Sequence, residues 1–344
     1  MHPRLSLDPA RLRENVRSWS AFAGVPVRAV VKSDGYGWGF AALVRPLEDL
    51  VDAFIVADGE EFAAVRSLTQ RPIVTLAEAA PDEVRLLLDG GAIPNVAGAA
   101  GIEAAARWAS SRNRRARIRI GLRPAIGWAG FEIAELGAIA VALARPEIAV
   151  ELWTHLTAVD AEAEQLATFA RAQTVLREAG VTIVATDIES SLPLRTPAAR
   201  GSFVRIGVGL FGARSTSGPE ALRCAIRLEA PIVARLPSAG QPVGYAGVRA
   251  PDEGYLEVAR CGYGDGFVRV TGVHGILSVG MQYTVLWRRN LSADKSVVLL
   301  DAANDLNELA HAAGIAPHEL VVRLGLAKRA ARAPAEPPVH EELR

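Results

Sequence analysis

From about residue 25 to 215 short β-branched runs alternate with alanine-rich stretches, and that alternation narrows the folds open to this chain. The β-branched runs fall at 28–32, 53–57, 72–76, 93–96, 116–122, 149–155, 182–186 and 203–210. Between them, most clearly at 101–110, 132–144 and 161–179, apolar residues recur at intervals of three and four, which is helical spacing. A βαβα order predicts a parallel sheet. Eight such units within about 200 residues fit a closed (β/α)8 barrel better than an open doubly wound sheet.

After about residue 222 the texture changes. Strand-like segments at 225–236, 241–248, 255–260, 275–279, 283–287 and 296–300 are separated by glycine and proline turns. The reading is therefore an α/β chain: a barrel over 8–221 and a mainly-β domain over 222–329, with residues 1–7 adding a strand to the latter. Helices are expected over 305–313 and from about Pro317, and an Ala/Arg/Pro/Glu tail over 330–344 is expected to be disordered.

Composition excludes several classes. Lys plus Arg and Asp plus Glu each number 38, so no net field favours nucleic acid or an anionic membrane. Cys224 and Cys261 form no metal-ligand spacing and the six histidines are scattered, so no metal site is expected. Residues 1–8 lack the apolar core of a signal segment, and no uninterrupted apolar run approaches the ~18 residues of a membrane span. A cytoplasmic protein is expected.

One lysine stands out. Lys32 lies where the first apolar run meets the glycine-rich loop of V-V-K-S-D-G-Y-G-W-G (30–39), at the carboxyl end of a buried strand. Barrels place their chemistry at that end. A lysine shielded from water there loses proton affinity and can attack an aldehyde as a neutral amine; the plainer reading is a surface lysine at a barrel mouth.

Four further motifs decide between these. They are T-H-L-T-A (154–158), E-S-S-L-P-L-R (189–195), V-R-I-G-V-G-L-F-G (204–212) and C-G-Y-G-D-G-F-V-R (261–269). In this order and at these spacings, nearly end to end, the chain resembles the alanine racemase family. That family comprises two-domain enzymes dependent on pyridoxal 5'-phosphate, with an amino-terminal barrel and a carboxyl-terminal β domain.

The resemblance implies a role for each matched residue. Lys32 carries the cofactor and is one of two acid/base groups, and Tyr36 contacts the phosphate. Ser190, Gly207 and Val208, at the ends of the seventh and eighth strands, complete the phosphate site, where barrels use loop hydroxyls and backbone amides. His155 stacks on the pyridine ring. Arg205 hydrogen-bonds the ring nitrogen, and because a guanidinium hardly deprotonates, that nitrogen stays unprotonated and the ring is a weaker electron sink. Tyr263 is the second acid/base group. Racemisation needs proton carriers on opposite faces of the α-carbon, and in the family this tyrosine comes from the partner subunit, which implies a homodimer with shared active sites.

The substrate side departs from the family pattern. Where the family has a lysine, often carbamylated, and the arginine it orients, this chain has Arg119 and Trp128. Arg123 is the candidate replacement anchor for a substrate carboxylate, beside Trp128. The family's G-R-x-x-M-D becomes G-M-Q-Y-T-V at 280–285, and L-G-L-A-K-R at 324–329 lacks the family's tyrosine or arginine followed by V-P-R. The expectation is a pyridoxal-phosphate amino-acid racemase or epimerase whose substrate need not be alanine. Two readings stay beside it: another α-carbon reaction on the same fold, elimination or aldol cleavage, and a homologue that holds the cofactor without turnover.

Overall fold

The computed structural model describes residues 2–123, 130–156, 162–188, 201–214, 218–245 and 247–330. The chain forms two compact units, one of Leu7–Gly35 with Phe40–Ala225, the other of Met1–Ser6, Tyr36–Gly39 and Ile226–Arg344. The opening strand β1 (Arg4–Leu7) joins the sheet of the second unit.

The first unit carries β2 (Val27–Val30), β3 (Ala53–Val56), β4 (Ile73–Ala79), β5 (Ala92–Val96), β6 (Ala116–Gly121), β7 (Ile148–Trp153), β8 (Ile183–Asp187) and β9 (Val204–Ile206). They form one parallel sheet in the order β8-β7-β6-β5-β4-β3-β2-β9. Its two ends meet: the Ser202 amide donates to the Thr186 carbonyl at 2.7 Å, and Arg205 Nε lies 2.9 Å from Asp187 Oδ1. Arg28 on β2 reaches Glu151 on β7 through two hydrogen bonds of 2.7 and 3.1 Å, which only a curled sheet allows. The sheet is a closed barrel, as the alternation predicts.

Helices follow their local signals. Asp8 caps Pro9–Ala23 by accepting from the amides of Ala10 and Arg11, and Gly24 ends it in the left-handed conformation. Glu132 and Glu135 form a capping box on Ile133–Leu143. The last strand is shorter than the apolar run 203–210 suggests. It stops at Ile206, and Val208–Phe211 turns as a 3-10 helix whose Gly209 lies so close to Trp19 that a Cβ would sit 2.6 Å from the indole nitrogen.

The second unit holds β10 (Ile226–Pro237), β11 (Pro242–Val243), β12 (Val248–Arg249), β13 (Tyr255–Ala259), β14 (Ile276–Val279), β15 (Thr284–Arg288) and β16 (Ser296–Leu300). Its main sheet runs β1-β10-β13-β15-β14, with β16 also paired to β10. The stretch 241–248, expected as one strand, divides into the antiparallel pair β11 and β12, with Gly244 and Gly247 both at positive φ between them. Leu306–Ala312 and Pro317–Ala330 are helical.

The barrel interior is unusual in its charge. Arg28, Arg119, Glu151, Asp187 and Arg205 are all at most 4 % exposed, three guanidiniums against two carboxylates. Glu151 also accepts from Arg117 at 2.6 Å, and Arg28 from its Nε side holds Asp52 at 2.9 Å. Removing one member of a buried pair leaves the other charge uncompensated. Glu151→Ala is therefore expected to cost about 3–5 kcal/mol in a denaturant titration of the barrel transition, and Arg28→Met with Glu151→Leu together less than that single change. A loss below about 1 kcal/mol for Glu151→Ala would contradict the pairing.

Candidate active site

Lys32 follows β2 after Val31, so its side chain starts at the carboxyl end of the strand. The backbone then turns the unfavourable way. Ser33, Asp34, Gly35 and Tyr36 all have φ between 48° and 62°, a left-handed turn in which only one residue is glycine. Such a conformation costs roughly 1–2 kcal/mol per non-glycine residue and is kept where surrounding bonds over-determine it. Glu61 provides them: its carboxylate accepts from the Ser33, Asp34 and Ala57 amides at 2.6, 3.2 and 2.7 Å. Asp34 in turn accepts from the Phe40 amide at 3.1 Å.

The barrel's other expected residues reach the same rim. His155 follows β7, Arg205 lies on β9, and Gly207 and Val208 follow it. The His155 imidazole is pushed down to about 4, first by burial and then by the charges of Arg205 and Lys32, which places these three groups within one electrostatic neighbourhood. Arg205 is held from behind. Its Nη2 donates to the Thr154 carbonyl at 2.6 Å, its Nε pairs with Asp187, and the guanidinium carbon lies 5.0 Å from the Trp153 ring. Asp187 also takes a 2.6 Å bond from Arg119, whose guanidinium carbon lies 4.7 Å from the centre of the same Trp153 ring. Burial raises the Asp187 carboxyl above its ordinary value and pulls Arg119 down to about 10. Trp153 is fixed by its indole nitrogen donating to Asn95 at 2.9 Å.

Arg123 is held by neighbouring groups of its own loop and helix. Its guanidinium bonds Glu132 at 2.6 Å, Glu135 at 3.4 Å and the Gly130 carbonyl at 3.1 Å, on the exposed amino end of Ile133–Leu143. Ser190 and Trp128 lie outside the described residues. Tyr36 and Tyr263 belong to the second unit. Tyr36 is buried, which raises its phenol well above the ordinary value. Tyr263 opens the short turn Tyr263–Asp265, is 36 % exposed, and has the Arg269 guanidinium 4.6 Å from its ring. Asp265 shapes that turn by accepting from the Gly262 amide at 3.0 Å and from Arg260 at 2.9 Å. Among the described residues no group of His, Cys, Asp and Glu is arranged to hold a metal ion, and no helix is long and apolar enough to cross a membrane.

Comparison with known proteins decides the family. The model for "Alanine racemase, N-terminal domain" matches residues 7–215. The alanine racemase of Xanthomonas axonopodis pv. citri is 32% identical over 281 residues, 76% of this chain and 74% of that protein. The chain belongs to the alanine racemase family. The Aquifex aeolicus alanine racemase is 25% identical over 342 residues, 93% of this chain and 96% of its own length. In fold the chain is similar to the alanine racemase of a D-cycloserine-producing Streptomyces lavendulae, with TM-score 0.77 at 23% identity over 94% of this chain and 95% of that one. It is likewise similar to the Bartonella henselae alanine racemase with covalently bound pyridoxal phosphate, at TM-score 0.78 and 20% identity over 95% and 98%.

Membership in the alanine racemase family makes the protein an amino-acid racemase dependent on pyridoxal phosphate. The barrel residues suit that cofactor. An amine, a guanidinium and a neutral imidazole share one rim, and the charges acting on His155 there are both positive, which complements a phosphate-bearing aldehyde. Glu61, Asp187, Glu151 and Trp153 are the supporting residues that sequence reasoning does not single out. The signal for two of them is visible: Glu151 lies inside an apolar strand run and Asp187 one residue beyond another.

His155 also gives a pH test. Its folded-state pKa lies below the unfolded 6.5, so protonation favours unfolding, and its contribution is complete above about 6.5 and lost as pH falls toward about 4. An NMR titration of the folded protein should place the His155 imidazole near 4, and His155→Gln should flatten the stability profile between those limits. A titration near 6.5 would contradict the placement beside Arg205 and Lys32.

Proposed function

We propose that the protein racemises or epimerises an amino acid other than alanine, with Lys32 and Tyr263 as the opposed acid/base groups of a homodimer. The observation that carries the reading is that Lys32 follows β2 and His155 follows β7 at the carboxyl rim of the barrel, with Arg205 of β9 bonded to the Thr154 carbonyl next to His155. When bound, pyridoxal phosphate supplies a conjugated ring that makes the substrate's α-proton removable.

The chain's own groups divide the remaining work. Lys32 Nζ holds the cofactor and moves a proton at one face of the substrate α-carbon. The Tyr263 hydroxyl moves a proton at the opposite face, from the partner subunit, because one lysine cannot serve both faces. Arg205, fixed by Asp187 and Thr154, donates to the ring nitrogen and keeps a proton off it, which favours return of the α-proton over transamination. His155 stacks on the ring as a neutral imidazole and adds no charge. Gly207, Val208, Ser190 and Tyr36 hold the phosphate.

The substrate side supports a side chain larger than a methyl. Trp128 brings apolar surface where the family has a cation, and 280–285 loses further polar groups. Arg123 would serve the substrate carboxylate by exchanging partners. Its two carboxylate pairs are exposed, so giving them up costs little, and a raised KM in Arg123→Ala checks the role.

Complementation tests the shared site. Lys32→Ala and Tyr263→Phe should each be nearly inactive alone. Mixed under conditions of subunit exchange, random pairing makes about half the dimers hybrid with one intact site each, so about a quarter of the activity per site should return. No recovery after verified exchange would contradict the reading.

A further inference from the structure

The segment Tyr36–Gly39 groups with the second unit although the chain on both sides of it belongs to the barrel unit. The helix Pro317–Ala330 holds it there. Trp38 is 5 % exposed, its indole nitrogen donates to the Val321 carbonyl at 3.1 Å, and Lys328 Nζ lies 4.8 Å from its ring. The backbones touch. A Cβ on Gly325 would stand 2.5 Å from the Tyr36 carbonyl oxygen and 2.8 Å from the Gly37 carbonyl carbon, and one on Gly37 would stand 2.9 Å from the Leu326 amide nitrogen. Gly37 and Gly39 have φ of +80° and +92°, so their conformation favours glycine as well.

The same helix meets a second segment. A Cβ on Gly266, where φ is +86°, would stand 2.5 Å from Ala327 Cβ and 3.0 Å from the Arg323 carbonyl oxygen. Gly266 closes the turn that carries Tyr263. Val321, Gly325 and Lys328 recur at helical spacing on the face that meets the segment after Lys32, whereas Arg323 and Ala327, well round the same helix, meet the turn of Tyr263, so one helix addresses both segments from two faces. A glycine inside a helix is disfavoured relative to alanine, and close approach of backbone is the usual reason to keep one.

We infer that the helix Pro317–Ala330 is the positioning element for both functional segments of its unit, with Gly325 and Trp38 as positioning residues. The inference rests on the reading above, in which Lys32 holds the cofactor, Tyr36 its phosphate, and Tyr263 transfers a proton. Tyr36 ends the left-handed turn that begins one residue after Lys32, so what fixes 36–39 also fixes the end of that turn. The helix does not touch substrate. It acts by holding the Tyr36 backbone and the Gly262 to Gly266 turn in register.

The test compares three variants of the full chain. Gly325→Ala adds one methyl at the contact, Trp38→Phe keeps a ring and removes one hydrogen bond, and Arg323→Ala removes only the exposed pair with Glu319. Two readouts are taken: the dissociation constant for added pyridoxal phosphate, and amide hydrogen exchange over 33–39 and 262–267 without it. Gly325→Ala should weaken cofactor binding at least about tenfold and speed exchange in both segments, and Trp38→Phe should weaken binding about fivefold, one hydrogen bond's worth. Arg323→Ala should stay within about twofold on both readouts even where it lowers the melting temperature as much. Gly325→Ala unchanged in both readouts, or Arg323→Ala matching it, would overturn the inference. Should Gly325→Ala fail to fold, Trp38→Phe decides by the same criteria. If the unsubstituted chain takes up no pyridoxal phosphate, the cofactor reading falls, and the exchange data alone still support or overturn the helix's role.

Discussion

Five buried charges inside the barrel set the geometry on which the rest depends. Glu151 draws Arg28 across from a strand five places away in the sheet, and Asp187 draws together Arg119 from two strands away and Arg205 from the closing strand. Charges this deep are expensive to desolvate, so they persist only with near-ideal partners. Apolar side chains could fill the same space and contribute at least as much stability. What they could not do is hold a permanently charged guanidinium in one orientation at the carboxyl rim of the barrel. Arg205 has that orientation because Asp187 and the Thr154 carbonyl fix two of its nitrogens.

Strain and charge are handled in the same way around Lys32. The left-handed turn after it is unfavourable at three non-glycine positions, and one carboxylate, Glu61, offsets much of that by accepting from successive amides. His155 stays neutral by burial and by its cationic neighbours Arg205 and Lys32. The family's chemistry at the cofactor is therefore supported here by carboxylates set behind the residues that would touch it.

The barrel was legible in the sequence because each buried parallel strand leaves a local apolar run, and because Lys32, His155 and Arg205 sit at or near the ends of such runs. Pairings were not legible, since Arg28 with Glu151 and Arg119 with Asp187 join residues 123 and 68 positions apart. Hydrophobic runs also overstate strand length: Val208, Leu210 and Phe211 continue the apolar pattern, yet glycines at 207 and 209 let the chain turn. No element is read over Pro9–Ala23 from hydrophobic runs, although Asp8 followed by Pro9 is a helix start. On the site, Arg119 as a departure from the family pattern is visible in sequence, but its engagement by Asp187 is not. Arg123 looks available in sequence and is, in the structure, already paired at the head of a helix.

The central claim is that this scaffold inverts the α-carbon of an amino acid other than alanine. Incubating the purified protein with each proteinogenic amino acid in deuterated water, followed by chiral separation and mass measurement, tests it directly. The account predicts one amino acid with a side chain larger than a methyl that appears as both enantiomers, each newly formed enantiomer carrying a single α-deuterium, with alanine converted slowly or not at all. Alanine as the fastest substrate would contradict the rewritten substrate side. Loss of carboxylate or side chain, or deuteration with chirality retained, would contradict racemisation itself.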